Sequence, residues 1–338
     1  MMKNLFWTFA LSLAAAAPVS ASEVTLKIAH FLPAGTPAQQ KVLEPWCAEL
    51  GQASGGRIAC QFYPAMQLGG TPGQLVDQAL HGVADIVWTA PGYSAGRFPV
   101  TEAIELPFVV RDARSGSRAA WNFYQQHARG EFSKYHVLAM HVDGGVALHT
   151  ANRPIARLED IKGLKLRTPT RMASRTLSAL GGEPVSMPPG QVTEAISKGV
   201  VDGAMGAWEV VLPTRLDEVT RYHIQPAAGQ TYPSATVLAL LMNKEKYEGL
   251  PADLKALIDE RSGMPLVERF GTVWDEVAVD ARERVLAAGG QVLDIGAADL
   301  EAMKNAARPV EQKWRAEISK KGLDGAGLSE AAYALARD

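Results

Sequence analysis

The segment Gln74-Leu-Val-Asp-Gln-Ala-Leu-His-Gly-Val-Ala-Asp85 is matched later in the chain by Gln191-Val-Thr-Glu-Ala-Ile-Ser-Lys-Gly-Val-Val-Asp202. In both segments a helical pattern ends at a glycine, and a strand and an aspartate follow at equal offsets. Glycine is the usual residue just after a helix, because it adopts a left-handed backbone without strain. The match predicts two similar structural units, although independent convergence on a good helix-to-strand sequence would also produce it.

Strands and helices alternate on both sides of each matched segment. The first half predicts strands at 24–29, 57–63 and 84–89 and helices at 37–50 and 74–80; the second predicts strands at 164–167, 184–187 and 200–205 and helices at 170–180 and 191–198. Such alternation indicates parallel sheets with right-handed crossovers. We therefore expect an α/β fold of two βαβαβ lobes, with a cleft at the carboxyl ends of the strands that can close on a small molecule.

The last third of the sequence is mostly helical. It predicts helices at 251–261 and 266–287, a strand at 291–295, and a long helix from about residue 298 that is interrupted at Pro309. The tail after Gly322 is expected to be poorly ordered. Because no low-complexity linker separates the lobes, we expect the chain to cross between them more than once through short hinges.

The N-terminus has the features of an export signal. Lys3 precedes an apolar run at 5–17, and small residues follow at 18–21. The run is shorter than the ~20 residues that a membrane span needs, which predicts cleavage after Ala21 and a soluble periplasmic protein. An uncleaved membrane anchor is the alternative.

Charge and cysteine content narrow the function further. The net charge of −2 over 338 residues offers no basic surface for nucleic acid. An exported chain whose two cysteines are Cys47 and Cys60 permits a disulfide between the first helix and the second strand, and two buried free thiols are the alternative. The cysteine spacing does not support a zinc site.

Several short motifs occur in a distinctive order along nearly the whole mature chain. They are Leu26-Lys-Ile-Ala-His30, Gly55-Gly-Arg-Ile58, Tyr63-Pro64, Gln67-Leu-Gly-Gly70, Gly96-Arg-Phe-Pro99, Glu105-Leu-Pro-Phe108, Arg153-Pro-Ile155, Glu159-Asp-Ile-Lys-Gly-Leu-Lys-Leu-Arg-Thr-Pro169, Met187-Pro188, Gly199-Val-Val-Asp-Gly203 and Leu241-Met-Asn-Lys244 with Leu250-Pro251. Together they resemble the solute-binding receptors of tripartite ATP-independent periplasmic (TRAP) transporters, in the dicarboxylate-receptor-like family.

This resemblance implies a two-lobed periplasmic-binding-protein-like fold with hinge strands and a long C-terminal helix. We expect lobe I to comprise 23–146 and 235–272, lobe II to comprise 147–234 and 273–325, and a tail to follow at 326–338. The receptor would capture a small organic acid and deliver it to the small and large TRAP membrane subunits, which an ion gradient drives. The anchoring arginine of the family corresponds to Arg167.

The sequence also departs from the family pattern. Many relatives that bind sugar acids have a second arginine near the position of Val146 and Ala147, and often an aromatic residue where Pro189 stands. Where many relatives have an asparagine, this chain has Gly206-Ala-Trp-Glu209. These departures predict a monocarboxylate with an aromatic or branched apolar body instead of a sugar acid or a dicarboxylate.

Arg167 ends a predicted strand and precedes a helix, so that it should face the cleft with its guanidinium matched to a carboxylate. A surface ion pair with Glu159 or Asp160 is its alternative role. Aromatic residues near strand ends are candidate pocket walls, with core packing as their alternative, and one polar residue is a candidate ligand contact or turn cap. These candidates are Phe31, Trp88, Tyr93, Trp208, Tyr232 and Asn243.

Other functions have weaker support. Gly92-Tyr-Ser-Ala-Gly96 matches the pattern of a hydrolase nucleophile, but the residues around Ser94 do not predict the required strand and long helix. His136, His141 and His149 lack a metal-binding spacing. A receptor for an ATP-driven importer would also have two lobes, but the motifs at 153–169 resemble the TRAP family and argue against this alternative. We therefore expect a binding protein and not an enzyme, with neither a cofactor nor a metal.

Overall fold

The computed structural model describes residues 22–337. Eleven strands occur within this range. They are β1 (Val24–His30), β2 (Ile58–Tyr63), β3 (Ile86–Thr89), β4 (Tyr135–Val142), β5 (Ala147–Thr150), β6 (Lys165–Thr168), β7 (Glu183–Ser186), β8 (Gly203–Gly206), β9 (Tyr222–Pro226), β10 (Val237–Asn243) and β11 (Gln291–Ile295).

The same range contains eleven α-helices, and a π-helical turn at Ala38–Leu43 leads into the first. The helices are α1 (Glu44–Ala53), α2 (Leu75–Leu80), α3 (Ala113–Phe123), α4 (Arg171–Ala179), α5 (Val192–Ser197), α6 (Trp208–Val211), α7 (Lys244–Glu248), α8 (Ala252–Glu260), α9 (Met264–Ala287), α10 (Ala297–Ser319) and α11 (Gly325–Leu335). None of the helices in the described range combines the length and apolar character that crossing a bilayer demands.

The strands form two sheets, which confirms the predicted two-lobed α/β fold. The first has the order β2-β1-β3-β10-β4 and the second the order β11-β9-β5-β8-β6-β7. Strand β1 runs parallel to β2 and β3, and β6 runs parallel to β7 and β8. Strand β10 in the first sheet and β5 in the second run antiparallel to their neighbours. Each sheet therefore has a parallel βαβαβ core extended by antiparallel strands.

The two matched segments of the sequence occupy equivalent places in the two sheets. Asp85 accepts a hydrogen bond from the main-chain N–H of Lys27 at 2.8 Å, and Asp202 accepts one from that of Lys165, also at 2.8 Å. Each aspartate thereby joins the start of its strand to the neighbouring parallel strand. The matched aspartates stabilise strand pairing, which gives the sequence similarity a structural reason.

The two long helices pack on both sheets. In α9, Phe270 and Trp274 belong to the core of the first sheet, whereas Val285 packs with the second. In α10, Met303 packs under the second sheet and Trp314 packs in the first core. The helices therefore connect the two halves, and their assignment to one lobe or the other remains a proposal.

The chain also crosses between the sheets at residues 143–146 and 227–236. These two crossing segments pair with each other. The N–H of Asp143 donates to the carbonyl of Thr236 at 3.1 Å, and that of Val146 donates to the carbonyl of Ser234 at 2.8 Å. This paired backbone, which is not part of either sheet, joins the two halves where the family resemblance implies hinge strands.

The disulfide prediction is confirmed, because Cys47 on α1 is bonded to Cys60 on β2. Two predictions for the C-terminal region were wrong. Helix α10 runs through Pro309 without interruption, because buried neighbours such as Ala307 and Val310 hold both of its halves against the cores. The region after Gly322 contains α11, which packs on α3 and is therefore ordered.

Candidate functional site

Arg167 lies at the end of β6 and is buried, with 4% of its surface exposed. Its Nε donates to the carbonyl of Met187 at 3.1 Å and its Nη1 donates to that of Met205 at 3.2 Å. The third nitrogen, Nη2, is buried and has no hydrogen-bond partner among the described residues. The main chain thus fixes the plane of the guanidinium, the hydroxyl of Tyr93 interacts with it, and Nη2 stays available to an anion.

This geometry excludes the surface ion pair that the sequence left open for Arg167. The carboxylate of Asp160 accepts hydrogen bonds from the main-chain N–H groups of Ala156 and Arg157, both at 2.9 Å. Burial lowers the pKa of Arg167, but a guanidinium keeps its charge at any physiological pH. A buried, fixed cation at the carboxyl end of a parallel strand is suited to hold an anion.

Arg167 borders a small cavity of about 40 Å³ between the two sheets. Side chains and backbone from both halves line it: Phe31, Leu32, Trp88, Tyr93, Thr236 and Leu238 from the first, and Asp143, Val146, Arg167, Pro169, Pro189, Gly206, Ala207, Glu209 and Val210 from the hinge and the second. The structure thus brings together four of the predicted site residues.

Aromatic side chains form one wall of the cavity. Phe31 stacks on Trp88 with ring centroids 5.1 Å apart, and Tyr93 meets Phe31 edge-on at 5.3 Å. The indole N–H of Trp88 donates to Nε2 of His141 at 2.9 Å. Burial lowers the pKa of His141 to about 3, so that its imidazole is neutral and can accept this bond. Trp88 is therefore held in the core and supports Phe31 against the cavity.

Two buried carboxyl groups border the same cavity, and neither was among the predicted site residues. Oδ1 of Asp143 accepts hydrogen bonds from the N–H groups of Thr236 at 3.0 Å and Gly145 at 3.2 Å. Burial raises the pKa of Asp143 to about 6, although these hydrogen bonds and the nearby charge of Arg167 oppose the shift. Burial also raises the pKa of Glu209 well above its ordinary value.

The sequence around these two acidic residues has a pattern that could have identified them as candidate site residues. Asp143 stands between Val142 and two glycines, and Glu209 stands between Trp208 and Val210. An isolated acidic residue in an apolar run is rarely buried without a partner or a function. The pattern could have identified both residues as candidates, but it could not have shown that they border the same cavity.

Trp208 and Tyr232 lie elsewhere, around a second cavity of about 360 Å³ on the hinge side. The indole N–H of Trp208 donates to Gln225 at 2.9 Å, and the guanidinium carbon of Arg282 lies 5.7 Å from the indole ring centroid. Glu209 borders both cavities. Trp208 and Tyr232 therefore surround the hinge side of Glu209 instead of the Arg167 cavity.

Asn243 does not border the Arg167 cavity. Its Oδ1 accepts from the N–H of Lys246 at 2.7 Å at the start of α7, and its Nδ2 donates to the carbonyl of Ala79 at 2.7 Å. Both ends of the amide are thus used to cap one helix and to join it to another. The turn-capping alternative describes Asn243 better than a ligand contact does.

A wider groove of about 530 Å³ lies outside the cavity, and Tyr93 and Pro169 border both spaces. At the groove, Arg171 on α4 forms an ion pair with the buried Glu102 of the first half. Arg171 also contacts Glu317 of α10 at 3.3 Å. The groove is therefore the outer part of the cleft, and an ion pair bridges the two halves there.

The other sites considered have no matching geometry. Ser94 donates its hydroxyl to the carbonyl of Gly73 at 2.7 Å and lies just after a short 3-10 turn, where a hydrolase nucleophile would need a strand-to-helix elbow. Across residues 22–337, no group of three or more metal-ligating side chains is placed to hold an ion.

Comparison with known proteins identifies the family to which the chain belongs. Residues 28–317 match the model of the bacterial extracellular solute-binding protein family 7. The sialic acid-binding periplasmic protein of Vibrio cholerae is 27% identical over 314 residues, which cover 91% of this chain and 93% of that protein.

Solved structures of similar proteins indicate the same family. A TRAP solute-binding protein from Rhodoferax ferrireducens T118, in complex with copurified benzoate, is 40% identical with a TM-score of 0.89, covering 93% of this chain and 98% of that chain. A marine metagenome TRAP solute-binding protein specific for aromatic acid ligands, in complex with metahydroxyphenylacetate, is 39% identical with a TM-score of 0.91, covering 93% and 98%. The chain belongs to the bacterial extracellular solute-binding protein family 7, as a receptor of the TRAP type.

Proposed function

We propose that this TRAP receptor binds a monocarboxylate with an aromatic body in the cavity between the two sheets, with the ligand's carboxylate on Arg167. The observation that carries the proposal is the unpaired Nη2 of a buried, fixed guanidinium beside an aromatic wall. A carboxylate would complete the hydrogen bonding of Arg167, and the ring would pack against Phe31 and Tyr93.

The charges around the cavity favour one carboxylate over two. Arg167 is the only basic residue that borders the cavity within the described part of the chain, and Asp143 and Glu209 border it as well. A second carboxylate would lie in low-dielectric surroundings beside these acids, without a cation of its own. Val146 also borders the cavity, near the position where many sugar-acid receptors have a second arginine.

The relatives support an aromatic ligand. The two structures that are about 40% identical contain benzoate or metahydroxyphenylacetate. A TRAP solute-binding protein from Bordetella bronchiseptica, 25% identical with a TM-score of 0.85, contains bound mandelate. These ligands share one carboxylate and one benzene ring, which matches one arginine and one aromatic wall.

Binding such a ligand requires a hinge motion. The cavity of about 40 Å³ is smaller than the cavity of about 150 Å³ that is known to hold benzene. The paired crossing segments and the long helices provide places where the two halves can rotate apart. We propose the lobe boundaries stated above as those of the moving bodies, with α9, which spans the boundary at 272–273, bending between them.

We propose distinct roles for the predicted site residues. Arg167 anchors the carboxylate, Phe31 and Tyr93 contact the ring, and Trp88 supports Phe31 from the core. Trp208 and Tyr232 act from the hinge side, where they pack around the segment that carries Glu209. We leave Asn243 out of the binding site, because both ends of its amide are already bonded to the main chain.

We also propose export and delivery. Cleavage after Ala21, which lies outside the described residues, would release the receptor into the periplasm, where it would pass its ligand to the small and large TRAP membrane subunits. N-terminal sequencing of the periplasmic protein tests the cleavage site. A mature chain that still begins at Met1 in the membrane fraction would contradict it.

The ligand proposal is tested by calorimetric titration of the mature protein. The panel is benzoate, phenylacetate and mandelate, together with succinate, glucuronate and sialic acid. We expect binding of at least one aromatic acid and little or no binding of the others. Tight binding of only a dicarboxylate or a sugar acid would overturn the proposal. Ester hydrolysis assayed beside the titration would detect an enzyme, and we expect no turnover above that of a Ser94→Ala variant.

A further inference from the structure

Glu209 has a carboxyl group that borders the cavity beside Arg167. It lies at the start of α6, 6% of its surface is exposed, and it borders both the ligand cavity and the hinge-side cavity. Apart from its own main chain, no residue in the described range forms a hydrogen bond with this carboxyl. A buried polar group without a partner costs free energy unless a ligand or water supplies the missing bond.

Asp143 borders the same cavity as Glu209. Its Oδ1 is occupied by the N–H groups of Thr236 and Gly145, and the hydroxyl of Thr236 also hydrogen-bonds to this carboxyl. Neither acid forms an ion pair with Arg167 within the described residues, and Nε and Nη1 of Arg167 donate to carbonyl groups. The cavity therefore offers a cation for one part of a ligand and the carboxyl of Glu209 for another part.

We propose that Glu209, assisted by Asp143, binds a hydroxyl group of the ligand, so that the preferred solute is a hydroxylated aromatic monocarboxylate. The inference rests on the proposed function and narrows the ligand class. A hydroxyl can donate to a carboxylate and can also exchange hydrogen bonds with a protonated carboxyl. A site built to bind a hydroxyl discriminates strongly against the analogue that lacks it, because its buried polar groups are then left unpaired.

A hydroxyl fits these surroundings better than an ammonium group does. Burial raises the pKa of Glu209 well above its ordinary value, which favours its neutral form. An ammonium group bound by Glu209 would need this carboxyl to be ionised, beside the permanent charge of Arg167. A neutral donor makes no such demand, and it leaves Arg167 as the single charge that meets the ligand's carboxylate.

The experiment compares matched pairs of ligands by calorimetric titration. Benzoate is compared with its three monohydroxy isomers, phenylacetate with 3-hydroxyphenylacetate and mandelate, and each hydroxylated acid with its methyl ether. Phenylglycine represents an ammonium-bearing ligand. We expect at least one hydroxylated acid to bind about tenfold more tightly than its parent, and its methyl ether to lose that gain.

Variants then assign the gain to Glu209. In Glu209→Leu the hydroxylated acid and its parent should bind equally, whereas Glu209→Gln, which keeps hydrogen-bonding atoms of the same size, should retain most of the difference. Glu194→Leu is the matched control, because Glu194 is an exposed glutamate that pairs with Lys198. Circular dichroism checks folding, and the ligand pairs on wild-type protein test the inference even if the leucine variant does not fold.

The outcomes separate this inference from the proposed function. If benzoate binds and no hydroxyl improves its affinity, or if the gain survives in Glu209→Leu, the hydroxyl inference is overturned while the aromatic-acid function stands. If phenylglycine binds most tightly and Glu209→Gln abolishes its binding, the acids bind an ammonium group instead, which also overturns it. If no aromatic acid binds to wild-type protein, the proposed function fails and this inference fails with it.

Discussion

Asp143 accepts a hydrogen bond from the main-chain N–H of Thr236 at 3.0 Å and so joins the two segments through which the chain crosses between its sheets. The same carboxyl borders the cavity beside Arg167. One side chain thus belongs both to the hinge and to the proposed binding site. If the proposed binding site and hinge are correct, the charge on Asp143 couples the ligand's carboxylate to the backbone that moves.

This coupling predicts a pH-dependent affinity. A bound carboxylate raises the pKa of Asp143 above its value of about 6, so binding takes up a proton at pH values above 6. Affinity should rise as the pH falls from about 8 to 6 and then level off. Titrations in buffers of different ionisation enthalpy measure the proton uptake. Asp143→Asn should reduce it, and an affinity that increases with pH would refute the coupling.

Removing the anchor should nearly abolish binding. Arg167→Ala leaves a desolvated carboxylate unpaired, which costs about 2–5 kcal/mol of binding free energy. Arg167→Lys should recover only part of this loss, because an ammonium group lacks the planar fork. Arg215→Ala is the control, since Arg215 is exposed and pairs only with Glu218 nearby. Affinity close to that of wild type in a folded Arg167→Ala protein would show that another group holds the carboxylate.

The ion pair between Arg171 and Glu102 should stabilise the closed form. Glu102 is buried and pairs with Arg171 across the two halves. In Arg171→Ala, closing the halves would therefore leave the buried carboxylate of Glu102 without its partner. We expect affinity to fall by about tenfold, mainly through faster ligand dissociation, because breaking a buried pair costs more than the pair contributes. Stopped-flow dissociation rates check this. An unchanged dissociation rate in Arg171→Ala would mean that this pair does not hold the closed form.

The disulfide should stabilise the first sheet without affecting the ligand. Cys47 and Cys60 are 13 residues apart, and closing a loop of that size contributes about 3 kcal/mol by the chain-entropy model. A Cys47→Ser/Cys60→Ser double variant should therefore unfold at lower urea concentration. Its ligand affinity should match that of wild type, because neither cysteine borders the cavity. Equal urea midpoints for the two proteins would contradict this contribution.

Helix α11 should contribute to stability. Ala332 is fully buried, and the hydroxyl of Tyr333 donates to the carbonyl of Pro107 at 2.9 Å. Deletion of residues 323–338 should lower the melting temperature, and Tyr333→Phe should cost about 1 kcal/mol in unfolding free energy. The exposed Glu330 provides a control as Glu330→Ala. A truncated protein that melts like wild type would show that the helix contributes nothing.

The sequence by itself determined the local structure and the family. Hydrophobic periodicity and glycine positions predicted the βαβαβ core of each sheet, because these patterns depend on neighbours along the chain. They did not predict β4, β5 or β9, which complete the sheets. The ordered set of motifs identified the TRAP-type receptor, and the exported context favoured the disulfide between Cys47 and Cys60. The predictions were wrong at Pro309 and after Gly322, where packing against distant elements holds the chain in a helix.

Only the tertiary structure decided which residues share a cavity. Trp88 lies within β3 and Trp208 follows the equivalent strand β8, yet of the two only Trp88 borders the space beside Arg167. Asp143 and Glu209 are 66 positions apart in the chain, and the fold brings both to that space. The sequence could not reveal this, because the position of a side chain in a cleft depends on how two sheets and their hinge are packed, and those contacts join residues that are far apart along the chain.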